Sequence, residues 1–357
     1  MTSEDEHGDG NEDAARRGGR RRGLLKAAGI ALAGVLVLSA AGASWAYWHL
    51  NDNIKSVDIN SALGDDRPAR AVSTPSVSAS ASAAATPLPS GALNILVLGS
   101  DSRSGKANAK LGGGSSSGAR SDTAMVVHID EGRTTATVVS IPRDTLVTRP
   151  SCPTSSGGTT SVAYQAMFNS AYSVGGPVCA VKTVESLTDV RMDHYIEIDF
   201  SGFADLVDAL GGVTVTTDED IDDDKSHLHL TAGEHHLDGT KALALARTRH
   251  GVGDGSDLGR IGLQQKLVKA LLKQIASTDL LTDPTKLYKV ANAVTGSLTT
   301  DTGLDSLGEL MKLGQSLKGL SSEDVKTVMM PVVTAPSDHN RVVANEPEAS
   351  ELWASLK

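Results

Sequence analysis

Apolar residues gather in three short β-branched runs, Leu93–Leu98, Ala124–Ile129 and Thr135–Ile141, each of strand length. Glu131-Gly132-Arg133, between the second and third, predicts a hairpin turn. Tyr195–Phe200 alternates apolar with polar and predicts another strand. Phe203–Leu210 has helical spacing and meets a stop at Gly211-Gly212, before a short strand at Val213–Thr216. Asp238 to Ala246 reads as helix. So does Leu258 to Ala276, where Ile261, Leu267, Val268, Leu271, Leu272 and Ile275 share one apolar face. Helical segments near 284–298 and 304–318 precede a last strand at Val325–Met330. Helices interspersed with strands predict an α/β domain: a mixed β-sheet with helices on both faces.

The N-terminal pattern is different. Residues 27–48 form a 22-residue run without a charge, long enough to cross ~30 Å of hydrocarbon. Arg16, Arg17, Arg20, Arg21, Arg22 and Lys26 precede it, and Trp45, Tyr47 and Trp48 close it. That asymmetry predicts a single transmembrane helix with a cytoplasmic N-terminus and an extracellular bulk. The alternative is a cleaved twin-arginine signal, from Arg21-Arg22-Gly23-Leu24-Leu25-Lys26 and the small residues Ala41-Gly42-Ala43. The resulting organisation is a disordered tail (1–23), an anchor (24–48), a Ser/Ala/Pro-rich stalk (49–91), a catalytic domain (92–335) and a C-terminal extension (336–357). Asn51 to Ser90 is read throughout as a spacer without a core, reaching ~35 Å as a flexible coil.

Composition narrows the function. A formal charge of -10 and 3% aromatic content exclude a basic nucleic-acid footprint and a base-stacking platform. The two cysteines, Cys152 and Cys179, predict one disulfide in an exported chain and two thiols in a reducing compartment.

Candidate chemistry concentrates in arginines and aspartates at predicted strand and helix ends. Arg247-Thr248-Arg249, Asp257, Arg260 and Gln264 fall on one loop-to-helix turn. Repeated guanidiniums, with their planar forked donors, match a polyanion such as a diphosphate. Asp101 and Arg103 follow one strand, Arg120 and Asp122 precede the next, and Arg143 closes a third. Asp101 and Asp122 together would suit magnesium, which takes carboxylate, water and phosphate oxygens. Asp257 is a candidate general base, with helix capping or Arg pairing as the alternative roles. The Lys110–Ser117 insert lacks a Walker ending and reads as a rim loop. Asp218 to Asp224 lacks the Gly and Glu of a calcium loop and reads as a solvated acidic loop. His227, His229, His235 and His236 read as exposed residues, not zinc ligands.

These motifs, with Asn94 to Arg103, Arg120-Ser121-Asp122-Thr123, Ser140-Ile141-Pro142-Arg143-Asp144, Asp193 to Phe203, Ala209 to Val213 and Leu237-Asp238-Gly239 in that order, resemble the LytR-CpsA-Psr family. The resemblance implies a membrane-anchored enzyme that transfers a glycopolymer, such as teichoic acid, from a polyprenyl diphosphate carrier to peptidoglycan. It implies Asp101 and Asp122 as magnesium ligands. It also implies Arg103, Arg120, Arg143, Arg247, Arg249, Arg260 and Gln264 at the diphosphate, with Arg247 and Arg249 in the catalytic set. A hydrophobic groove would hold the prenyl tail. A polyprenyl diphosphate hydrolase and a non-catalytic wall-binding protein are the alternatives. One departure stands out: many members carry Arg where this chain has Leu263. The sequence stops soon after the catalytic domain, so the further C-terminal domain of some members is not expected.

Overall fold

The computed structural model describes residues 41–70, 91–100, 121–154, 157–249, 257–277 and 283–357. The chain divides into two units, Met1–His49 and Leu50–Lys357. In the first unit the described residues, 41–49, are helical (α1), and Trp45 and Trp48 among them are exposed. Among the described residues no helix is long and apolar enough to cross a membrane. Most of the expected anchor lies outside them.

The second unit is built on a seven-stranded mixed sheet. Its strands are β1 (Lys55–Val57), β2 (Leu93–Ser100), β3 (Ser121–Ile129), β4 (Ala136–Ile141), β7 (His194–Asp199), β12 (Leu298–Asp301) and β13 (Val325–Met329). Their spatial order is β1-β12-β7-β2-β3-β4-β13. β2 runs antiparallel to β3 and parallel to β7, and β3 and β4 form the predicted hairpin. In β2 nearly every residue is buried, which explains why its pattern is a continuous apolar run and not an alternation.

Each sheet face carries its own core. On one face Leu96, Leu98, Val126, Val139 and Tyr195 meet α2 (Ile59–Leu63), α3 (Ser170–Thr188) and α9 (Glu348–Ala354) through Leu63, Val184 and Trp353. On the other, Ile95, Met125 and Val138 meet α6 (Asp257–Ser277) and α8 (Leu307–Ser316) through Val268, Leu272 and Leu313. A third cluster joins α4 (Phe200–Leu210), β8 (Val213–Thr217), α5 (Gly239–Arg247) and α6. Gly211 ends α4 in the left-handed conformation at φ 88°, as the predicted stop requires. α7 (Pro284–Ser297) packs beside α4.

Three expectations are corrected. The first is the stalk. Residues 51–70 do not form a spacer: β1 pairs in parallel with β12, Ile59 and Leu63 enter a core, and Arg67 is buried against Glu185. A three-residue strand and a five-residue helix are too short to show a period, and both depend on partners far along the chain. Residues 71–90 lie outside the described set.

The second concerns β5 (Leu146–Arg149), β6 (Ala163–Met167) and α3, which the periodicity did not predict. Non-helical Gly175 and Gly176, followed by Pro177, interrupt α3 and obscure its pattern. The third is the segment after residue 335. Its β15 (Asp338–Ala344) pairs with β14 (Val332–Ala335), and Trp353 of α9 is buried in the first core. Cys152 and Cys179 are joined in a disulfide that ties the start of the 150–162 loop to α3.

Candidate functional site

Three of the predicted arginines, Arg143, Arg249 and Arg260, come together around Asp257 at one end of the sheet. β4 ends at Ile141, and a turn closed by the Thr145 N–H on the Pro142 carbonyl (3.1 Å) presents Arg143 and Asp144. α5 delivers Arg247 in its last turn, with the guanidinium 5.2 Å above the Phe200 ring. Thr248 turns inward: its hydroxyl donates to the Ala244 carbonyl and shares a hydrogen bond with Ser226. Arg249 follows, held by its backbone N–H on the Asp223 carboxylate at 3.0 Å. α6 begins at Asp257 and carries Arg260 and Gln264 on the same face.

Two carboxylates organise this set. Asp257 lies 3.5 Å from Arg143 Nε and 3.7 Å from an Arg249 nitrogen, is paired with Arg260, and accepts the Arg143 backbone N–H at 3.3 Å. Asp144 lies 3.8 Å from Arg143, 3.8 Å from Arg249 and 3.5 Å from Arg341. Among the described residues, four guanidiniums therefore share two carboxylates. Apart from the Arg260 pair, these separations exceed a charge-assisted hydrogen bond of about 2.7–2.9 Å. Arg249, with a third of its side chain exposed, is reachable from solvent. Guanidiniums that solvent can reach, such as Arg249 and Arg341, favour an oxyanion ligand.

The surroundings of Asp257 match the Arg-pairing alternative. Its carboxylate is surrounded by cations and has no neighbouring group to pass a proton to among these contacts. Gln264 uses its amide nitrogen on Thr123 and on the Ala246 carbonyl, both at 2.9 Å. It thereby clamps α6 to β3 and α5, and a direct phosphate contact would require breaking one of these bonds. Leu263 points to the other side of α6, into the third core with Val207 and Leu245. An apolar side chain is what that position accommodates, so the missing helix cation leaves the Arg143–Arg249–Arg260 grouping intact.

Asp101, Arg103 and Arg120 lie outside the described residues, as does the side chain of Asp122. Ser100 pairs with Ser121 across β2 and β3, at the same end of the sheet as Ile141 of β4.

Two residues escaped sequence reasoning. Asp223, in the stretch read as a solvated acidic loop, is buried in β9 (Ile221–Asp223) and holds the backbone of Arg249. Arg341 reaches the site from β15, nearly two hundred residues beyond Arg143, and no local pattern marks it. Elsewhere, Asp222, Asp224 and His229 bring ligand atoms together at an exposed β-hairpin. Exposed acidic groups do this without an ion. Beneath the end of β2, the Tyr172 and Tyr195 hydroxyls each donate to the buried Glu197 carboxylate at 2.7 Å. Burial, reinforced by the Glu197 charge, pushes both phenols up, so they stay protonated as donors.

Comparison with known proteins agrees with this architecture. The chain is 33% identical over 271 residues to the probable cell wall biosynthesis protein LcpB of Corynebacterium glutamicum, covering 74% of this chain and 61% of that one. It is 31% identical over 238 residues to the polyisoprenyl-teichoic acid–peptidoglycan teichoic acid transferase TagV of Bacillus subtilis, covering 65% and 57%. This chain thus spans about three fifths of the length of these curated relatives. The TagV crystal structure superposes with a TM-score of 0.56 at 26% identity, covering 75% of this chain and 97% of that one. An enzyme of Actinomyces oris shares the fold, with a TM-score of 0.59 at 23% identity over 85% and 95%. The family model for LytR_cpsA_psr matches residues 46–357, and with the sheet, its flanking helices and the ordered motifs in agreement, the chain belongs to the LytR_cpsA_psr family.

Proposed function

We propose that this protein transfers a glycopolymer from a polyprenyl diphosphate carrier to peptidoglycan, as a phosphotransferase. The observation that carries the reading is the set of four guanidiniums that share two carboxylates, among the described residues, at one end of the sheet. The likeness to TagV, a polyisoprenyl-teichoic acid–peptidoglycan teichoic acid transferase, supports the same chemistry.

In this reading Arg143, Arg249 and Arg260 hold the diphosphate oxygens. Arg247 and Arg249 stabilise charge as an acceptor hydroxyl attacks one phosphorus. The new P–O bond forms to the acceptor, the bridging P–O bond breaks, polyprenyl phosphate leaves, and the hydroxyl proton passes to solvent. Positioning and charge stabilisation provide most of the catalysis in phosphoryl transfer. Asp144 and Asp257 are positioning residues that keep four like charges together. Arg103 and Arg120, between β2 and β3 in the sequence, would add to the diphosphate site.

Magnesium would be held by Asp101 and Asp122, whose carboxylates fit a hard cation that also takes phosphate oxygens. When bound it would neutralise diphosphate charge. The exposed Trp45 and Trp48 of α1 and the Cys152–Cys179 bridge support a protein anchored in the cytoplasmic membrane with its catalytic domain outside.

The test is incubation of the purified full chain with a polyprenyl diphosphate-linked glycan, magnesium and peptidoglycan. Wall-linked glycan is expected, and Arg247→Ala should abolish it. Free glycan phosphate as the sole product would identify a hydrolase, and retention on wall without lipid turnover would identify a binding protein.

A further inference from the structure

The C-terminal hairpin contributes a side chain that the reading above does not use. β14 and β15 pair from Val332↔Ala344 to Thr334↔Val342, and the register then shifts so that Ala335 faces Asp338. Residues 339–341 are left without partners on β14. Such bulges re-aim side chains away from the ladder. A bridge between Thr145 and Val342 sets β15 against the start of β5, which brings Arg341 beside Asp144 at 3.5 Å.

That placement is poorly explained by hairpin anchoring alone. Asp144 already has Arg143 and Arg249 within 3.8 Å, so a third guanidinium on one carboxylate adds repulsion among the cations. The remaining partners of Arg341 are weak: Asp338 at 3.9 Å and the neighbouring Asn340 carbonyl at 3.3 Å. Its side chain remains 30% exposed. A structural arginine in the same molecule looks different. Arg67 is buried, with hydrogen bonds to Glu185, Asn60 and the Met192 carbonyl at 2.6–3.1 Å. Arg249 and Arg341, held only at loose distances and reachable from solvent, can take a further contact when an anion joins them.

We propose that Arg341 is a further substrate-binding residue of this site, a guanidinium delivered by the C-terminal hairpin that joins Arg143 and Arg249 around Asp144 to hold the diphosphate of the donor. The proposal rests on the transferase reading and adds to it a cation from outside the motif-bearing segments. It makes the hairpin part of the active site.

Inorganic pyrophosphate, titrated calorimetrically into the purified full chain with magnesium present, separates the two levels. Wild-type protein should bind it saturably. Arg341→Ala and Arg341→Gln should weaken binding about fivefold to tenfold, as expected for one lost charge-assisted contact. Arg341→Lys should recover most of the loss, and His339→Ala on the same hairpin should bind as wild type does. In turnover the loss should appear in KM for the lipid donor. Wild-type affinity in both the Ala and Gln variants, with wild-type binding intact, overturns the role of Arg341 and leaves the site reading standing. Equal loss in the Lys, Ala and Gln variants, accompanied by lowered melting temperatures, assigns Arg341 to hairpin anchoring and also overturns it. Failure of wild-type protein to bind pyrophosphate overturns the diphosphate site, and the proposal with it.

Discussion

Two charged regions of this molecule use the same residue types for opposite ends. Arg67 and Glu185 are almost wholly buried, with 2% and 3% of their side chains exposed, and their oxygens and nitrogens meet at 2.6–3.1 Å. The Met192 backbone N–H and carbonyl and the Asn60 side chain use further donors and acceptors of the pair. Around Asp144 and Asp257 most contacts are 3.5–3.8 Å, each acid serves several guanidiniums, and the rim is open. A pair that satisfies itself fixes structure. A set held at looser distances beside an open rim can still take an anion.

That contrast can be broken experimentally. Arg67→Ala should destabilise the fold by about 3–5 kcal/mol, because it leaves the Glu185 carboxylate buried without its cation. Chemical denaturation would measure this, and a loss under ~1 kcal/mol would remove the distinction. Opening the Cys152–Cys179 bridge, by Cys152→Ser with Cys179→Ser, should cost roughly 3–4 kcal/mol in the chain-entropy model. Thiol labelling of the denatured, unreduced wild type should find no reactive cysteine, and two labelled thiols would contradict the bridge.

At the open end the effects should invert. Arg249→Ala should lower transfer about 10²–10³-fold, in the range for removing one group that stabilises transition-state charge. Its unfolding free energy should stay within about 0.5 kcal/mol of wild type. A variant that lost stability and activity together would make Arg249 another Arg67.

The smallest effect concerns pH. Burial, the largest influence, holds the His128 imidazole below its ordinary 6.5, with its Nδ1 2.8 Å from the Asn94 side-chain oxygen. As pH drops through 6.5, the unfolded chain takes up this proton before the folded one does. Stability therefore falls on acidification from 6.5 and rises on the return. His128→Asn should flatten that slope. An unchanged slope would show that His128 is not its source.

The framework strands were legible because Leu93–Leu98, Ala124–Ile129 and Thr135–Ile141 are dense in apolar residues that are mostly buried, and such a strand needs no alternation to be recognised. α6 was legible because its length spans several turns with one apolar face. β1 and α2 were not: three or five residues carry no period, and their stability comes from β12 and α3. α3 was hidden by its Gly-Gly-Pro interruption. At the site, the motif arginines Arg143, Arg247, Arg249 and Arg260 announced themselves by type and clustering. Asp223 did not, since an acidic run looks solvated until one member is seen under a backbone N–H.

By itself, then, the sequence determined the mixed α/β class, the charged segments that must meet at strand ends, and the cysteines available for one bridge. These follow from side-chain period, residue chemistry and chain order, all local properties. Tertiary structure alone decided that residues 51–70 belong to the domain, that Leu263 faces a core while Gln264 clamps two elements, and that Arg341 returns from the C-terminal hairpin to Asp144. Each of these depends on a partner distant in the chain, and the free energy of such a contact is set by geometry that no local window contains.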